Sequence, residues 1–244
     1  MNYNQDLYKL YSQKWEGLRI AVESLPIDSR PTHPLLIRLP DENAYHTADV
    51  KMMIVGKETN DWEGPFGKHS MDSLLDFYAA FLPANGKSKR SPFWQYIKKW
   101  AEQIRTYTPN ETVSIVWNNI HKLGRAGEIG TPCKSTQEIA KQHFNILEEE
   151  VKILKPDIVI FFTGPDYDNA ISAQLPGIEL EEITAGKRKQ IAHCVHPSLP
   201  YLSYRTYHPG GLNRFKPVEG TFHRETPIQV ILEGVKEKVS AAKG

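Results

Sequence analysis

One short stretch, residues 207–214, brings together groups that can do chemistry: an imidazole, a glycine-rich turn, an apolar side chain and a guanidinium. The run before it, residues 202–207, is rich in β-formers, so His208 is expected at the carboxyl end of a strand, where open α/β sheets place their sites. A proline and two glycines after the histidine predict a tight turn that leaves Leu212 exposed at its tip. With Arg214 behind it, such a turn is typical of a loop that contacts nucleic acid.

Polar or small residues also follow three apolar runs that have the pattern of buried parallel strands. Glu58 follows the first run, Asn118 and Asn119 follow the second, and Gly164 follows the third. The runs themselves are 52–55, 113–117 and 158–162. Because the carboxyl ends of parallel strands meet along one edge, a carboxylate, an amide and the imidazole of His208 are expected to share one crevice. Such a set can activate water, read an amide-bearing ring and stabilise an anion.

The elements that must position these groups alternate along the chain. Helical spacing of apolar residues predicts a first helix over 7–25 and further helices over 71–82, 93–105, 136–154 and from about 226. A hairpin is expected from 178–183 and 190–195. Strand and helix in alternation indicate a parallel sheet. We therefore expect an α/β fold, a three-layer α/β/α arrangement around a central, mainly parallel four-stranded sheet.

The length of 244 residues suits a single domain over 1–244. Residues 26–48 are rich in Pro, His, Asp and Asn, a composition typical of a surface connection. Together with the first helix they are interpreted as an N-terminal helix and loop extension, residues 1–48. A second His-Pro pair, His196-Pro197, rivals the pair at His208, which is preferred because a β-run leads directly into it and a basic residue follows.

The overall charge favours no class of partner. Lys and Arg number 30 and Asp and Glu 29, so the formal net charge is +1 and a polyanion must be held by a local basic face. The two cysteines, Cys133 and Cys194, are too few for a disulfide framework or a four-thiolate cluster, which suits a reducing compartment. No apolar run approaches membrane-spanning length, and the polar start is not that of a signal peptide. We expect a cytoplasmic protein with no membrane partner.

Five motifs occur between about Lys51 and Arg214. They are Gly56-Lys57-Glu58, Gly64-Pro65-Phe66-Gly67 with Leu74-Leu75, Asn119-Ile120-His121-Lys122, residues 154–164, and His208-Pro209-Gly210-Gly211-Leu212. In pattern the chain resembles the uracil-DNA glycosylase superfamily. It departs from that family at Glu58, where the family has Asp or Asn, and in having two glycines where the family's His-Pro finger has Ser and Pro. Two cysteines are also too few for the iron-sulfur cluster of one branch.

The resemblance implies a DNA base-excision N-glycosidase, a DNA-repair hydrolase that breaks the bond between a damaged or deaminated base and deoxyribose. In that role Glu58 holds a water beneath the sugar and stabilises the cation that forms there. His208 donates a hydrogen bond to the base oxygen that gains negative charge. The amide of Asn119, or of Asn118, reads the polar edge of the base, and Phe66 stacks on its ring.

The resemblance also implies how DNA is held. Leu212 enters the helix where the base has left, and Arg214 and Lys216 hold phosphates. We expect DNA, single- or double-stranded, as the partner of a monomer that uses neither metal nor other cofactor. Two alternatives stay open: a non-catalytic nucleic-acid or nucleotide-binding module of the same fold, and a hydrolase of a small nucleoside-like molecule.

Overall fold

One mixed sheet of six strands forms the centre of the fold in the computed structural model, which describes residues 2–88, 91–108, 110, 112–183, 187–216 and 221–241. The strands are β1 (Val50–Glu58), β2 (Val113–His121), β3 (Ile158–Phe162), β4 (Glu179–Glu182), β5 (Ile191–Val195) and β6 (Leu202–Thr206). Their order is β2-β1-β3-β6-β5-β4. The pairs β1–β2, β1–β3 and β3–β6 are parallel, whereas β5 is antiparallel to both β6 and β4.

The α/β class is confirmed, but the sheet is larger than the predicted four strands. The sequence predicts the β4–β5 hairpin, and the structure adds it to the edge of β6 as a continuation of the sheet. Strand β6 would otherwise expose a row of unpaired backbone groups. The outermost strand, β4, is short and carries three glutamates, features that discourage pairing with another chain.

Helices cover both faces of the sheet. They are α1 (Tyr3–Glu23), α2 (Glu42–Thr47), α3 (Met71–Ser88), α4 (Pro92–Arg105), α5 (Lys134–His143), α6 (Leu147–Leu154), α7 (Asp168–Gln174), α8 (Pro209–Leu212) and α9 (Thr226–Ala241), with 3₁₀ turns at Ile27–Ser29 and Pro165–Tyr167. Successive strand side chains point to opposite faces. Accordingly Met53 and Val55 pack in one apolar core with α1, α3 and α6, and Met52 and Ile54 pack in a second core with α4 and α9. Within the described ranges, no helix combines the length and apolar character needed to cross a membrane.

The predicted first helix of the 1–48 extension is confirmed as α1, but the prediction that residues 26–48 are a surface connection is wrong, because part of this segment lies in the main core. Leu35, Leu36 and Ile37 are completely buried. The hydroxyl of Tyr11 in α1 donates to the Glu150 carboxylate of α6 at 2.8 Å and accepts the Ile37 backbone N–H at 3.0 Å. A segment rich in turn-forming residues thus crosses the interior in extended form, tied to α1 by hydrogen bonds that composition does not reveal.

The single helix predicted over 136–154 is two helices, α5 and α6. The chain leaves helical geometry at Phe144, whose φ and ψ are −143° and 38°. Phe144 and Ile146, on either side of the break, are fully buried. The break lets both apolar side chains enter the core beneath α1, a burial that one continuous helix would not provide.

Candidate functional site

A cavity of about 630 Å³ opens at the carboxyl ends of β1 and β2 and beside the start of α8. Its volume lies within the range of small-molecule sites, roughly 300–1,000 Å³. Glu58 at the end of β1, Asn119 in β2 and His208 before α8 all line it. The structure thus brings together three residues that the sequence analysis singled out, and it does so because parallel strands end at one edge of the sheet.

The side chain of Asn119 is held in one orientation with its amide nitrogen unused. Its Oδ1 accepts the Trp117 Nε1–H at 3.1 Å, which fixes the amide so that Nδ2 points the other way. Asn119 is 2 % exposed, and Nδ2 finds no partner in the described part of the chain. A buried donor without an acceptor costs about 1–3 kcal/mol, so Nδ2 is a candidate to donate to a molecule bound in the cavity.

Gly56 makes room for this amide. It pairs with Asn119 across β1 and β2, and a Cβ at position 56 would lie 2.4 Å from Asn119 Oδ1 and 3.5 Å from the ring of Phe93. Any larger residue would displace the amide or the ring. The glycine of the Gly56-Lys57-Glu58 motif therefore has a steric function in the cavity wall.

Glu58 is half-buried and held by a phenol from a neighbouring element. The Tyr167 hydroxyl donates to Glu58 Oε2 at 2.5 Å and lies 2.8 Å from the Thr131 hydroxyl. Burial, followed by the hydrogen bond to the carboxylate, raises the pKa of Tyr167, so the phenol stays protonated and remains a donor. Lys57 Nζ lies 4.8 Å from the centroid of the Tyr167 ring. One carboxylate oxygen is therefore fixed, and the ammonium of Lys57 stands on the same wall of the cavity.

His208 is a neutral imidazole of defined tautomer. Burial, and to a lesser extent the charge of Lys57, lowers its pKa to about 4. Its Nδ1 accepts the Gly210 backbone N–H at 3.3 Å, so the single ring proton is assigned to Nε2. The ring stacks on Phe93 with 5.6 Å between centroids and 11° between planes. A ring held in this way can donate one hydrogen bond without carrying a charge.

Five aromatic side chains complete the cavity, and the sequence analysis assigned none of them to the site. They are Trp62, Phe81, Phe93, Trp94 and Trp117. The ring of Trp62 meets that of Trp117 edge to face at 5.6 Å, and Trp94 meets Trp117 in the same way at 5.4 Å. The sequence offered one sign of this aromatic wall. Phe93 and Trp94 stand at the start of the predicted helix 93–105, directly after a run of small and basic residues. Such walls suit a flat, apolar-faced ring.

Phe66 does not belong to this site, which corrects its predicted role as the stacking residue. It is 4 % exposed and lies against Trp15 and His33, with centroid distances of 5.8 and 5.5 Å. The adjacent loop is organised by His33, whose Nε2 accepts the backbone N–H groups of Gly67, Lys68 and His69 at 3.1 Å each. Phe66 is consequently a core residue beneath a loop.

Asn118 is also outside the cavity, so of the two candidate asparagines only Asn119 lines it. Asn118 is completely buried in a polar network, where its Nδ2 donates to Glu150 at 2.8 Å and its Oδ1 accepts from Lys122 Nζ at 2.5 Å. Lys122 and Glu150 form an ion pair of 2.7 Å, and both are almost fully buried. Burial lowers the pKa of Lys122, and the Glu150 carboxylate opposes that effect. The network stabilises the fold beneath the site.

Leu212 is buried, contrary to the prediction of an exposed tip. The Pro209–Leu212 segment forms the short helix α8, with His208 as its N-cap, and this turn directs Leu212 into the second apolar core at 0 % exposure. Arg214 and Lys216, the predicted phosphate contacts, are exposed. The rival histidine, His196, does not line the cavity and lies 3.1 Å through Nε2 from the Pro176 carbonyl.

The described residues contain no group of three or more His, Cys, Asp or Glu side chains placed to hold a metal ion. A scan against protein-family models and a search of curated proteins found no match to the chain. The chemistry of the cavity therefore rests on its own geometry: a fixed carboxylate, a neutral imidazole, an unused amide donor and aromatic walls.

Proposed function

We propose that the protein is a DNA base-excision N-glycosidase, similar to uracil-DNA glycosylases, which hydrolyses the bond between a damaged or deaminated base and deoxyribose. The observation that carries the proposal is the buried, unused Nδ2 of Asn119 in the same cavity as Glu58 and His208. A fixed donor needs a ligand acceptor. The carboxylate can stabilise the positive charge that develops on the sugar, and the neutral imidazole can donate to the negative charge that develops on the base.

The donors of the cavity favour a base with carbonyl oxygens on its edge. Asn119 offers an N–H that cannot rotate away, and the neutral ring of His208 offers another. Deamination turns an exocyclic amino group into a carbonyl. An undamaged base would place its amino N–H groups against the N–H donors of Asn119 and His208, and no hydrogen bond would form. Sites built on such hydrogen bonds reject the mismatched analogue by about 10⁴–10⁵-fold. The aromatic walls hold the ring but add little discrimination between bases of similar shape.

The proposed bond-breaking step follows from where charge develops on the sugar and on the leaving base. As the C–N bond breaks, its electron pair leaves with the base and positive charge develops on the sugar. Glu58 stabilises that cation and orients a water whose oxygen bonds to the sugar carbon and whose proton passes to the carboxylate. His208 donates to the base oxygen as it becomes negative, and its pKa of about 4 keeps it a neutral donor at physiological pH.

A uracil-DNA glycosylase-like fold is part of this proposal. Four parallel strands in the order β2-β1-β3-β6, with the cavity at their carboxyl ends, support it. DNA is the proposed partner of a monomer, and the exposed cations of Arg214 and Lys216, which follow the His208 turn, are available to phosphates. A local pair of cations can hold phosphates even though the net charge of the whole chain is only +1.

A non-catalytic nucleotide-binding module of the same fold is the second candidate. It is favoured by the 2.5 Å hydrogen bond from Tyr167 to Glu58, which occupies one carboxylate oxygen. The oxygen that accepts from the phenol is then not available to hold a water. In this alternative the cavity still holds a flat ring through Asn119 and His208, but no water is activated.

Abasic-site formation in labelled oligonucleotides tests the proposal. The substrates carry uracil, hypoxanthine or an oxidised pyrimidine, and alkali reveals base loss as strand scission. We expect base release by the wild-type protein, a loss of about 10²–10⁴-fold in Glu58→Gln and of about 10²–10³-fold in His208→Ala. Glu179→Gln, in an exposed position of β4, and His196→Ala, in the rival His-Pro pair, are matched controls that retain activity.

The outcomes separate the candidate functions. DNA binding by every variant with no base release from any substrate would favour the binding module. Cleavage of a free nucleoside but of no oligonucleotide would favour a hydrolase of small molecules.

A further inference from the structure

A second cavity, of about 480 Å³, lies between α5 and α7 beside the end of β2, and we call it the α5–α7 cavity. Its volume is also within the range of small-molecule sites, roughly 300–1,000 Å³. Ile120, Ala140 and Ala170 give it apolar surface, and polar side chains make up most of the remaining wall. In the described part of the chain, no residue lines both this cavity and the one that contains Glu58.

The side chain of Asn145, in the wall of the α5–α7 cavity, has an unused acceptor. Its Nδ2 donates to the Ala173 carbonyl of α7 at 3.1 Å. The reversed amide would set oxygen against oxygen, so this hydrogen bond fixes the orientation of the group. Oδ1 is buried and has no partner among the described residues. Because a buried acceptor without a donor costs about 1–3 kcal/mol, Oδ1 is a candidate to accept from a molecule in the cavity.

His121 supplies a second polar group without a fixed partner. Burial lowers the pKa of His121 to about 4, so near pH 7 the ring is neutral, with one N–H donor and one acceptor nitrogen. The ring lies against Tyr167, with 5.7 Å between centroids and 59° between planes. No hydrogen bond joins either ring nitrogen to another residue of the described ranges. The imidazole can therefore donate to a carbonyl on a bound molecule.

The charges around the α5–α7 cavity balance. Two exposed cations, Lys134 and Lys141, are matched by two exposed anions, Glu138 and Asp166. A cationic or an anionic ligand would meet no excess of the opposite charge on the wall. The balance favours a molecule with no net charge.

We propose that the α5–α7 cavity binds a small neutral molecule that carries a carboxamide or lactam group. The amide N–H donates to Oδ1 of Asn145, the carbonyl accepts from the ring N–H of His121, and the apolar body of the molecule covers Ile120 and Ala170. The cavity wall includes Tyr167, whose hydroxyl holds Glu58, so the two cavities meet at this phenol. The site requires neither DNA nor base release, and it stands apart from the proposed function.

Three probes of similar shape test the ligand chemistry on the full-length protein. They are benzamide, N,N-dimethylbenzamide, which has no N–H, and benzoate, which is an anion. Ring resonances of His121 and His208 in NMR titrations report the two cavities separately. Benzamide should shift the His121 resonance with a Kd of about 1 mM or below, and the other two probes should bind at least about tenfold more weakly.

Two variants place the probe in the α5–α7 cavity. Asn145→Leu removes the acceptor and should weaken benzamide binding about tenfold, as followed at His121. Ala170→Leu, at a partly exposed position of α7, fills the cavity without removing a polar group and should abolish the His121 shift. Asn119→Leu is the matched control in the other cavity, and the affinity measured at His121 should change by about twofold or less. Urea unfolding verifies that each variant is folded.

Several results would overturn the inference. Benzamide that shifts only the His208 resonance, or neither resonance, would exclude the α5–α7 cavity as its site. Equal binding of benzamide and N,N-dimethylbenzamide would show that no amide N–H is recognised, and tighter binding of benzoate would show an anion site. Should Asn145→Leu fail to fold, an unchanged His121 shift in Ala170→Leu would by itself contradict the assignment. None of these results bears on base release, which the oligonucleotide assay measures independently.

Discussion

Two adjacent asparagines show how strongly position decides the use of a residue. Asn118 and Asn119 lie side by side in β2, so their side chains point to opposite faces of the sheet. Asn118 has both ends of its amide in hydrogen bonds with Lys122 and Glu150, whereas Asn119 keeps Nδ2 unused. The first is a structural amide, and the second is the amide that we propose for recognition of a bound base.

Separate truncation of the two asparagines should therefore give opposite phenotypes. Asn119→Ala should reduce base release about 10²-fold or more, since it removes a fixed donor. Its loss of stability should be the smaller of the two, because the unpaired Trp117 N–H is offset by the removal of the unsatisfied Nδ2. Asn118→Ala should lower the free energy of unfolding by about 1–3 kcal/mol, because Lys122 and Glu150 lose a buried partner. Urea unfolding and base-release rates measured on both variants check the pair. Similar phenotypes in the two variants would contradict the assignment.

At the scale of elements, α8 shows why a turn motif does not determine exposure. Pro209 and the two glycines do form a turn after β6, as their types predict, but the turn is helical and carries Leu212 inward. His208 caps this helix and faces the cavity, so the five residues 208–212 serve the site at one end and the core at the other.

Leu212→Ala is expected to act on stability. Removing a fully buried leucine side chain leaves a void, so the free energy of unfolding should fall by about 2–5 kcal/mol. Arg214→Ala, two residues away and exposed, should stay within about 0.5 kcal/mol of wild type. Thermal and urea unfolding give both numbers. A stable Leu212→Ala protein that has lost only DNA affinity would restore the exposed-tip interpretation.

Local pattern was sufficient for the strands and for most of the long helices, but not for the break between α5 and α6 or for α2, and it was insufficient for the burial of the elements. Periodicity predicted β1, β2, β3 and the β4–β5 hairpin, and the convergence of strand ends predicted a shared crevice. It could not assign Phe66, because an aromatic residue in a loop has the same local pattern whether it faces a ligand or the core. The run Leu35-Leu36-Ile37 was an available sign of a buried extended segment, obscured by the turn-forming residues around it.

At the scale of the whole molecule, three partly or fully buried histidines make the fold sensitive to acid. Burial lowers the pKa of His33, and it lowers the pKa of His121 and His208 to about 4. Each occupies a different part of the structure: His33 organises the loop that covers Phe66, His121 ends β2, and His208 caps α8. All three are neutral in the folded protein near pH 7.

The folded protein should lose stability as the pH falls from about 6.5 toward 4. In that window the unfolded chain binds protons at histidines that the folded chain keeps neutral, so acid favours unfolding. Each histidine contributes at most about 1.4 kcal/mol per pH unit, a figure that solvent screening reduces. Urea midpoints at pH 7, 6 and 5 measure the slope. His121→Gln should flatten it, and midpoints that do not change with pH would contradict the account.

The buried hydrogen bond from Tyr11 to Glu150 has a consequence for truncated forms of the protein. A fragment that begins near Lys51 would lack the phenol of Tyr11 and the extended segment that enclose the Glu150 carboxylate. We expect such a fragment to let water into the space behind β2 and to aggregate through its uncovered apolar face. Shortened or fused versions should therefore keep every residue from Tyr3 onward.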